Sequence, residues 1–431
     1  MNNLFDVLVI GAGPAGLAAA HAAASHGATV AIIDDNAQAG GQIWRGAFTP
    51  QRPTADPRAR QLWHELQAAA NVTFMHQSRV LYAPAPGQLR VQTPTDARTL
   101  YYQRLIIATG ARELLLPFPG WTLPGVTGAG GLQALVKGGY PISGKRVVVA
   151  GSGPLLLAVA ATLTEQGAQV VAIIEQAGTA RLARFAAGLS ATPSKLLQAL
   201  QLAKRLRSVP YHRNSIVRAA HGSDTLRQVE VMRAGATFTL DCDYLACGYG
   251  LLPNVELAMA LGCAISAPDT PDAGAPLPPQ AVIADTFQRT SIEGIYCAGE
   301  GTGIGGVDKA LVEGRIAGLA AAGRRDLAQI HFRERAHWHA FASRLARAFA
   351  LPPDIATLPS DDTIVCRCED VRHGELREHA SWRSAKLHTR CGMGPCQGRI
   401  CGGATGVLYG WRPTTVRVPL APARIDSIIH P

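Results

Sequence analysis

The chain is poor in lysine. Only six of its 41 basic residues are Lys and the other 35 are Arg. These arginines are scattered and form no basic run, so the formal charge of +10 does not make a nucleic-acid footprint. An acidic partner surface or plain solvation accounts for it. Charged residues make up only 17% of the chain against 47% hydrophobic, which excludes a disordered polyelectrolyte. No Cys-x-x-Cys pair occurs, which argues against dithiol–disulfide exchange. There is no His-Glu-x-x-His and no Ser-His-Asp set. The start, MNNLFDVLVIGAG, has no basic region followed by a cleavage site, so a cytoplasmic chain is expected. Long hydrophobic runs are also scarce. Residues 147–164 carry no charge, but Gly-Ser-Gly-Pro interrupts them, and a buried strand, turn and helix is expected rather than a membrane span.

What is present is a repeated strand–glycine–helix–acid pattern. At roughly 150 residues per domain, 431 residues suggest about three domains. The apolar run at 5–10 ends at Gly11-Ala-Gly13-Pro14-Ala15-Gly16, followed by a helical stretch and a second apolar run ending at Asp34. Gly11 permits the tight turn and Gly13 a close pyrophosphate. Gly16 lets helix and strand touch, and Asp34 can accept from ribose hydroxyls. The order recurs 140 residues later at Gly151, Gly153 and Pro154, with Glu175 closing the next strand. There Leu156 holds the third glycine position, which should push the helix off the strand. Arg181 and Arg184, just beyond, are available to a phosphate. Four segments within 71–108 are expected to form a β-meander, 194–206 a helix, 268–280 a Pro-rich loop, and 326–350 a helix with an apolar face.

Nine cysteines are unevenly placed. Cys242, Cys247, Cys263 and Cys297 have apolar neighbours and are expected in cores. Cys366, Cys368, Cys391, Cys396 and Cys401 crowd into the C-terminal part and are read as reduced thiols that ligate metal. A C-x-C with a C-x4-C suits an iron–sulfur cluster or a zinc ion. Cys391, Cys396 and Cys401 are evenly spaced, so spacing alone does not choose among them. No general base stands out; Trp44, Arg45, Glu113, His331, His337 and His339 are available.

The pattern resembles the flavoproteins with two dinucleotide-binding domains. Three further pieces match: Gly40-Gly41-Gln42, Ala108-Thr109-Gly110, and Gly299-Glu300, the last departing from the usual Asp. Cys-Arg-Cys-Glu at 366–369 and Gly-Met-Gly-Pro-Cys-Gln-Gly-Arg-Ile-Cys at 392–401 extend the resemblance to the end of the chain. They are similar to the bacterioferritin-associated-ferredoxin-like domains fused to the A subunits of opine oxidases and D-hydroxyproline dehydrogenases, and to the hydrogen cyanide synthase B subunit.

The resemblance implies an α/β fold with two Rossmann-like domains, the FAD domain discontinuous, and a small C-terminal iron–sulfur domain. The expected bounds are 1–118 with 283–325 for FAD, 119–282 for the second nucleotide domain, 326–360 for a helical linker and 361–431 for a 2Fe-2S domain. It implies FAD held by Gly11, Gly13, Pro14, Ala15, Gly16, Asp34, Gly41, Gln42, Arg45, Ala108, Thr109, Gly110, Gly299 and Glu300. An adenine nucleotide, ATP or NAD(P), is expected at Gly151, Gly153, Pro154 and Glu175. The cluster ligands implied are Cys366, Cys368, Cys396 and Cys401, with Cys391 a neighbouring thiol. The implied partner is a beta subunit bearing its own flavin and the amine site, with a small ferredoxin-like subunit and peripheral contact at the inner membrane as further options. The implied role is electron transfer from an amine, imino-acid or opine. The competing readings are a stand-alone NAD(P)H-dependent reductase of a ferredoxin or nitrite-reductase system, and a nucleotide-sensing scaffold with a zinc knuckle.

Overall fold

The computed structural model describes residues 3–48, 56–266, 279–413 and 415–429. Most of the expected Pro-rich loop lies outside them. Two parallel sheets form the frame. The first runs Val72–Met75, Val30–Ile33, Leu4–Ile10, Ala97–Ile107 and Ile295–Cys297, all paired in parallel. The second repeats the order of the first four with Tyr211–Arg213, Gln169–Glu175, Arg146–Gly151 and Tyr244–Gly248, and takes its fifth, Val126–Gly128, from earlier in the chain. Each sheet is covered by helices on one face and by antiparallel strands on the other, which is why its strands read as continuous apolar runs and not as alternation. Residues 147–164 form the strand Arg146–Gly151 and part of the helix Leu155–Glu165. Among the described residues no helix is long and apolar enough to cross a membrane.

Three expectations are corrected. Val72–Met75 pairs with Val30–Ile33 as the edge of the parallel sheet; only Arg79–Tyr82, Gln88–Gln92 and the first half of Ala97–Ile107 make the meander. A four-residue apolar strand carries no mark of its partner's direction. The chain returns to the first domain well before residue 283, because Val255, Leu257, Ala258 and Cys263 share a core with Phe5, Leu8 and Ile10. The helix expected over 326–350 is broken into Arg325–Gln329 and Phe332–Ala348.

The crossings between the two sheets are an antiparallel ribbon, Ala111–Glu113 paired with Leu251–Pro253. Helix Val307–Ala321 packs on the first glycine helix, Pro14–Ala24: a side chain at Gly314 or Gly318 would meet the carbonyl oxygen of Ala15 or Ala19 at 2.2 or 2.1 Å. The C-terminal unit has its own small core of Val365, Val371, Leu376, Ala385 and Ala404 around three cysteines. The tail beyond it rejoins the first domain: Leu420 donates to Leu81 O at 2.7 Å and Arg90 to Ser427 O at 3.1 Å.

Candidate redox site

The first glycine turn is built as expected. Gly11 has φ +106° and a Cβ there would lie 2.3 Å from Ala108 O. A Cβ on Gly16 would lie 1.8 Å from Gly11 O, so helix and strand touch backbone to backbone. Helix Pro14–Ala24 has no side-chain cap, and Pro14 lacks an N–H, so the amides of Ala15 and Gly16 face outward without a cap. Beside Gly13 there is open space, bounded by Gly41. Asp34 is buried; its carboxylate accepts from Ala12 N at 2.6 Å and Asn36 N at 2.8 Å. Arg45 donates to Gln42 and Asn36 at 3.2 Å each, next to a cavity of about 450 Å³. Uncapped amides, an open glycine and an acid at the strand end fit a dinucleotide pyrophosphate and ribose.

Thr109 and Gly110 are tied to Asn254. Asn254 Nδ2 donates to Thr109 O at 2.9 Å, its N–H to Gly110 O at 3.0 Å, and Thr109 Oγ1 to Asn254 O at 2.8 Å. Gly299 has φ +81° and starts a single turn, Gly299–Thr302. Glu300 is turned back on its own loop, accepting from Gly305 N at 2.9 Å and Gly306 N at 2.8 Å. Burial raises its carboxyl against the pull of Lys309 and those two amides.

Beneath this turn lies a buried network that the sequence reading missed. Glu313 is fully buried, and one oxygen accepts from Gly299 N, Thr302 Oγ1 and Lys309 Nζ at 2.9, 2.8 and 2.9 Å. Its other oxygen meets His339 Nε2 at 2.6 Å. Lys309 also donates to Gly299 O at 2.9 Å. Burial pushes the Glu313 carboxyl up, but Lys309 and the bonds from His339, Lys309 and Thr302 outweigh it and hold it below the ordinary range. The available signal was Lys309 and Glu313, four apart on the helix Val307–Ala321. Of the other candidates, Glu113 accepts from Gly130 N and Gly131 N at 2.6 and 2.9 Å and caps a helix. Trp44 is core, and His331 faces Glu334 at the surface.

The second glycine turn differs. Leu156 is buried where the first turn has glycine. Glu175 accepts from Gly153 N at 2.9 Å and Ala177 N at 2.8 Å, and burial raises its carboxyl. The end of the linker lies over this turn. Ser152 Oγ donates to Phe349 O at 3.0 Å, Gln176 Nε2 to Ser152 Oγ at 2.7 Å, and Arg181 to Ala350 O at 2.8 Å. A Cβ on Gly153 would lie 4.0 Å from the Phe349 ring. Phe349 packs edge-on to Phe185. The side-chain donors around this turn are thus directed to the end of the linker.

All five C-terminal cysteines converge. The sulfurs of Cys366, Cys391 and Cys401 lie within 4.8 Å of one another and are buried. Cys396 touches Cys401 and Cys368, and Cys368 is exposed. The structure thus puts Cys391 inside the group that the resemblance had reduced to four. The thiols share their hydrogen bonds: those from Cys391 and Cys401 hold Cys366 far below the ordinary thiol range, Cys401 likewise brings Cys396 down, and the donors Cys391 and Cys401 are pushed up in turn. Thiolates are the form that binds metal, so the donor set fits an iron–sulfur centre or zinc. Arg367 stacks over Trp121 at 5.2 Å, and Arg399 bonds Gln397 and the carbonyl of Leu420. A cavity of about 1750 Å³ runs from Glu300 and Gly305 past Gly153 to Gly398 and Trp411, joining all three regions.

Fold and site define a flavoprotein oxidoreductase with a metal-competent cysteine cluster. The chain belongs to the pyridine nucleotide-disulphide oxidoreductase family, whose profile matches residues 5–322. Within it the chain falls with the A-type subunits it resembles. It is 34% identical to the A subunit of opine oxidase from Rhizobium meliloti, covering 99% of this chain and 98% of the relative. It is 30% identical to hydrogen cyanide synthase subunit HcnB of Pseudomonas aeruginosa, covering 91% and 90%. The fold is shared with an L-proline dehydrogenase from P. horikoshii, with TM-score 0.68, 19% identity and coverage of 99% of this chain and 80% of that one. It is shared also with T. acidophilum thioredoxin reductase, with TM-score 0.54, 23% identity and coverage of 75% and 99%.

Proposed function

We propose that the chain is the electron-handling subunit of a heteromeric dehydrogenase acting on amines or imino acids of the opine, proline or D-hydroxyproline class, in the cytoplasm. The supporting observation is the joining of two redox-competent parts in one body: a dinucleotide cradle at Gly11, Gly13, Gly16, Asp34 and Gly41, and a cysteine cluster docked on the ribbon between the two sheets. Flavin accepts a pair of electrons and passes them on singly, which an iron–sulfur cluster requires. Ala15 and Gly16 amides hold the pyrophosphate, Asp34 the adenosine ribose, and the 299–306 turn, fixed by Glu313 and Lys309, lines the ribityl side. Cys366, Cys368, Cys396 and Cys401 are the proposed ligands of a two-iron, two-sulfide cluster. The amine is oxidised on a partner subunit with its own flavin.

The test is co-purification with the partner, followed by a visible spectrum and an amine panel. The reading predicts flavin and cluster absorption, bleached by an opine, proline or D-hydroxyproline only when the partner is present. Bleaching by NADH in the isolated chain overturns it in favour of a stand-alone reductase. Zinc without iron leaves a nucleotide-binding scaffold.

A further inference from the structure

We propose that Arg112 is the positioning residue that couples the cysteine cluster to the flavin-lining turn at Thr109 and Gly110; the inference rests on the relay reading above. Arg112 lies in the ribbon strand Ala111–Glu113, opposite Leu252, where the chain leaves the first domain. Its guanidinium faces both ways. Nε donates to Arg399 O at 3.0 Å, between Cys396 and Cys401 in sequence. NH1 donates to Asn254 Oδ1 at 2.9 Å. Asn254 in turn makes the three bonds to Thr109 and Gly110, the end of the central strand. Arg112 therefore links the cluster loop to the flavin-lining turn through a single side chain and Asn254.

Packing holds the same contact. A Cβ on Gly403, on the helix that begins at Cys401, would lie 2.4 Å from Leu252 and 3.2 Å from Leu114. The cluster helix thus presses directly on the ribbon, and a side chain at Gly403 would have to displace the ends of Leu252 and Leu114. The arrangement also carries charge. Arg112 is largely buried and paired with Glu256 at 2.9 Å. A cluster with four thiolates is anionic and gains negative charge on reduction, so a fixed cation beside it favours the reduced form. Arg399 spreads its guanidinium over Gln397 and the carbonyls of Cys396 and Leu420 and offers Arg112 its own carbonyl.

The step is a single-electron passage. A cluster held by the cysteines would supply one electron at a time to a flavin held by the first domain, and Arg112 would hold the two loops in register. The electrons enter from the amine oxidised on the partner, and no bond of Arg112 forms or breaks.

The experiment uses the full chain loaded with FAD and iron. Cluster potentials come from titration followed by electron paramagnetic resonance, and electron exchange from absorbance after mixing with substoichiometric dithionite. Arg112→Met should lower the cluster potential, because Glu256 is left unopposed, and slow exchange at least about tenfold. Glu256→Gln should raise the potential. Arg112→Lys should restore the potential but not the rate, since an ammonium lacks the two-way fork. A purely structural role would not shift the potential in opposite directions in the two charge variants. If Arg112→Met keeps flavin and iron and matches the wild type in both potential and rate, the inference fails while the relay stands. If Arg112→Met does not fold, a Glu256→Gln potential equal to the wild type also overturns it. A wild-type chain with no iron signal overturns the relay itself, whatever Arg112 does.

Discussion

The chain builds the same βαβ unit twice, and the two copies differ in what lies over the glycine turn. In the first, Gly16 touches Gly11, the helix amides stand open, and the space beside Gly13 is free. In the second, Leu156 fills the third glycine's place, and the donors of Ser152, Gln176 and Arg181 are directed to the linker, through the carbonyls of Phe349 and Ala350 or through Ser152. The first four strands of each sheet follow the same order, so that order alone does not distinguish an open turn from one with the linker over it. The distinction lies in one side chain and in a segment nearly 200 residues away.

The sharpest way to break the comparison is to alter one residue in each turn. Gly13→Phe should abolish flavin binding, read from absorption of the purified chain, while Ser152→Ala should keep full flavin content. Equal flavin in Gly13→Phe and wild type would mean the first turn is not the seat. A smaller effect tests the support below the first turn. Lys309→Met leaves the buried Glu313 carboxylate without its cation and should destabilise the protein by about 3–5 kcal/mol in denaturant unfolding. Covering the second turn is worth less. Phe349→Ala, half-buried against Phe185 and Gly153, should cost about 2 kcal/mol and leave flavin content unchanged. If it also confers fast flavin reduction by NADH, measured by stopped flow, the linker is the cover; if the wild type is already reduced at a useful rate, the second turn is open. The smallest effect is one of pH. Glu313 is held below its ordinary value of 4.5, so its stabilisation is complete above that pH and is lost as the pH falls through the lowered value. Glu313→Gln should therefore flatten the stability–pH curve only on the acid side of 4.5.

Both βαβ units were legible in the sequence because a strand, a glycine turn, a helix and a closing acid each leave a local mark. The four dispersed cysteines were legible as core residues for the same reason, and all four are buried. What was not legible depends on distant partners. Val72–Met75 reads the same whether its neighbour runs parallel or antiparallel. The return at Leu251–Pro253 looks like a turn until it is paired with Ala111–Glu113. Arg112, Asn254 and His339 have no motif, since their roles come from residues 142, 145 and 26 positions away. Cys391 fell outside the resemblance's ligand set, yet folding brings it into the same 4.8 Å group as Cys366 and Cys401.

The central claim, a cluster that relays single electrons to the flavin of this chain, is tested most directly by metal analysis and electron paramagnetic resonance of the reduced protein and two variants. The account predicts iron and acid-labile sulfide in equal amounts, with a signal that survives Cys391→Ser and is lost in Cys396→Ser. Zinc without iron, or a signal lost in Cys391→Ser and kept in Cys396→Ser, would contradict it.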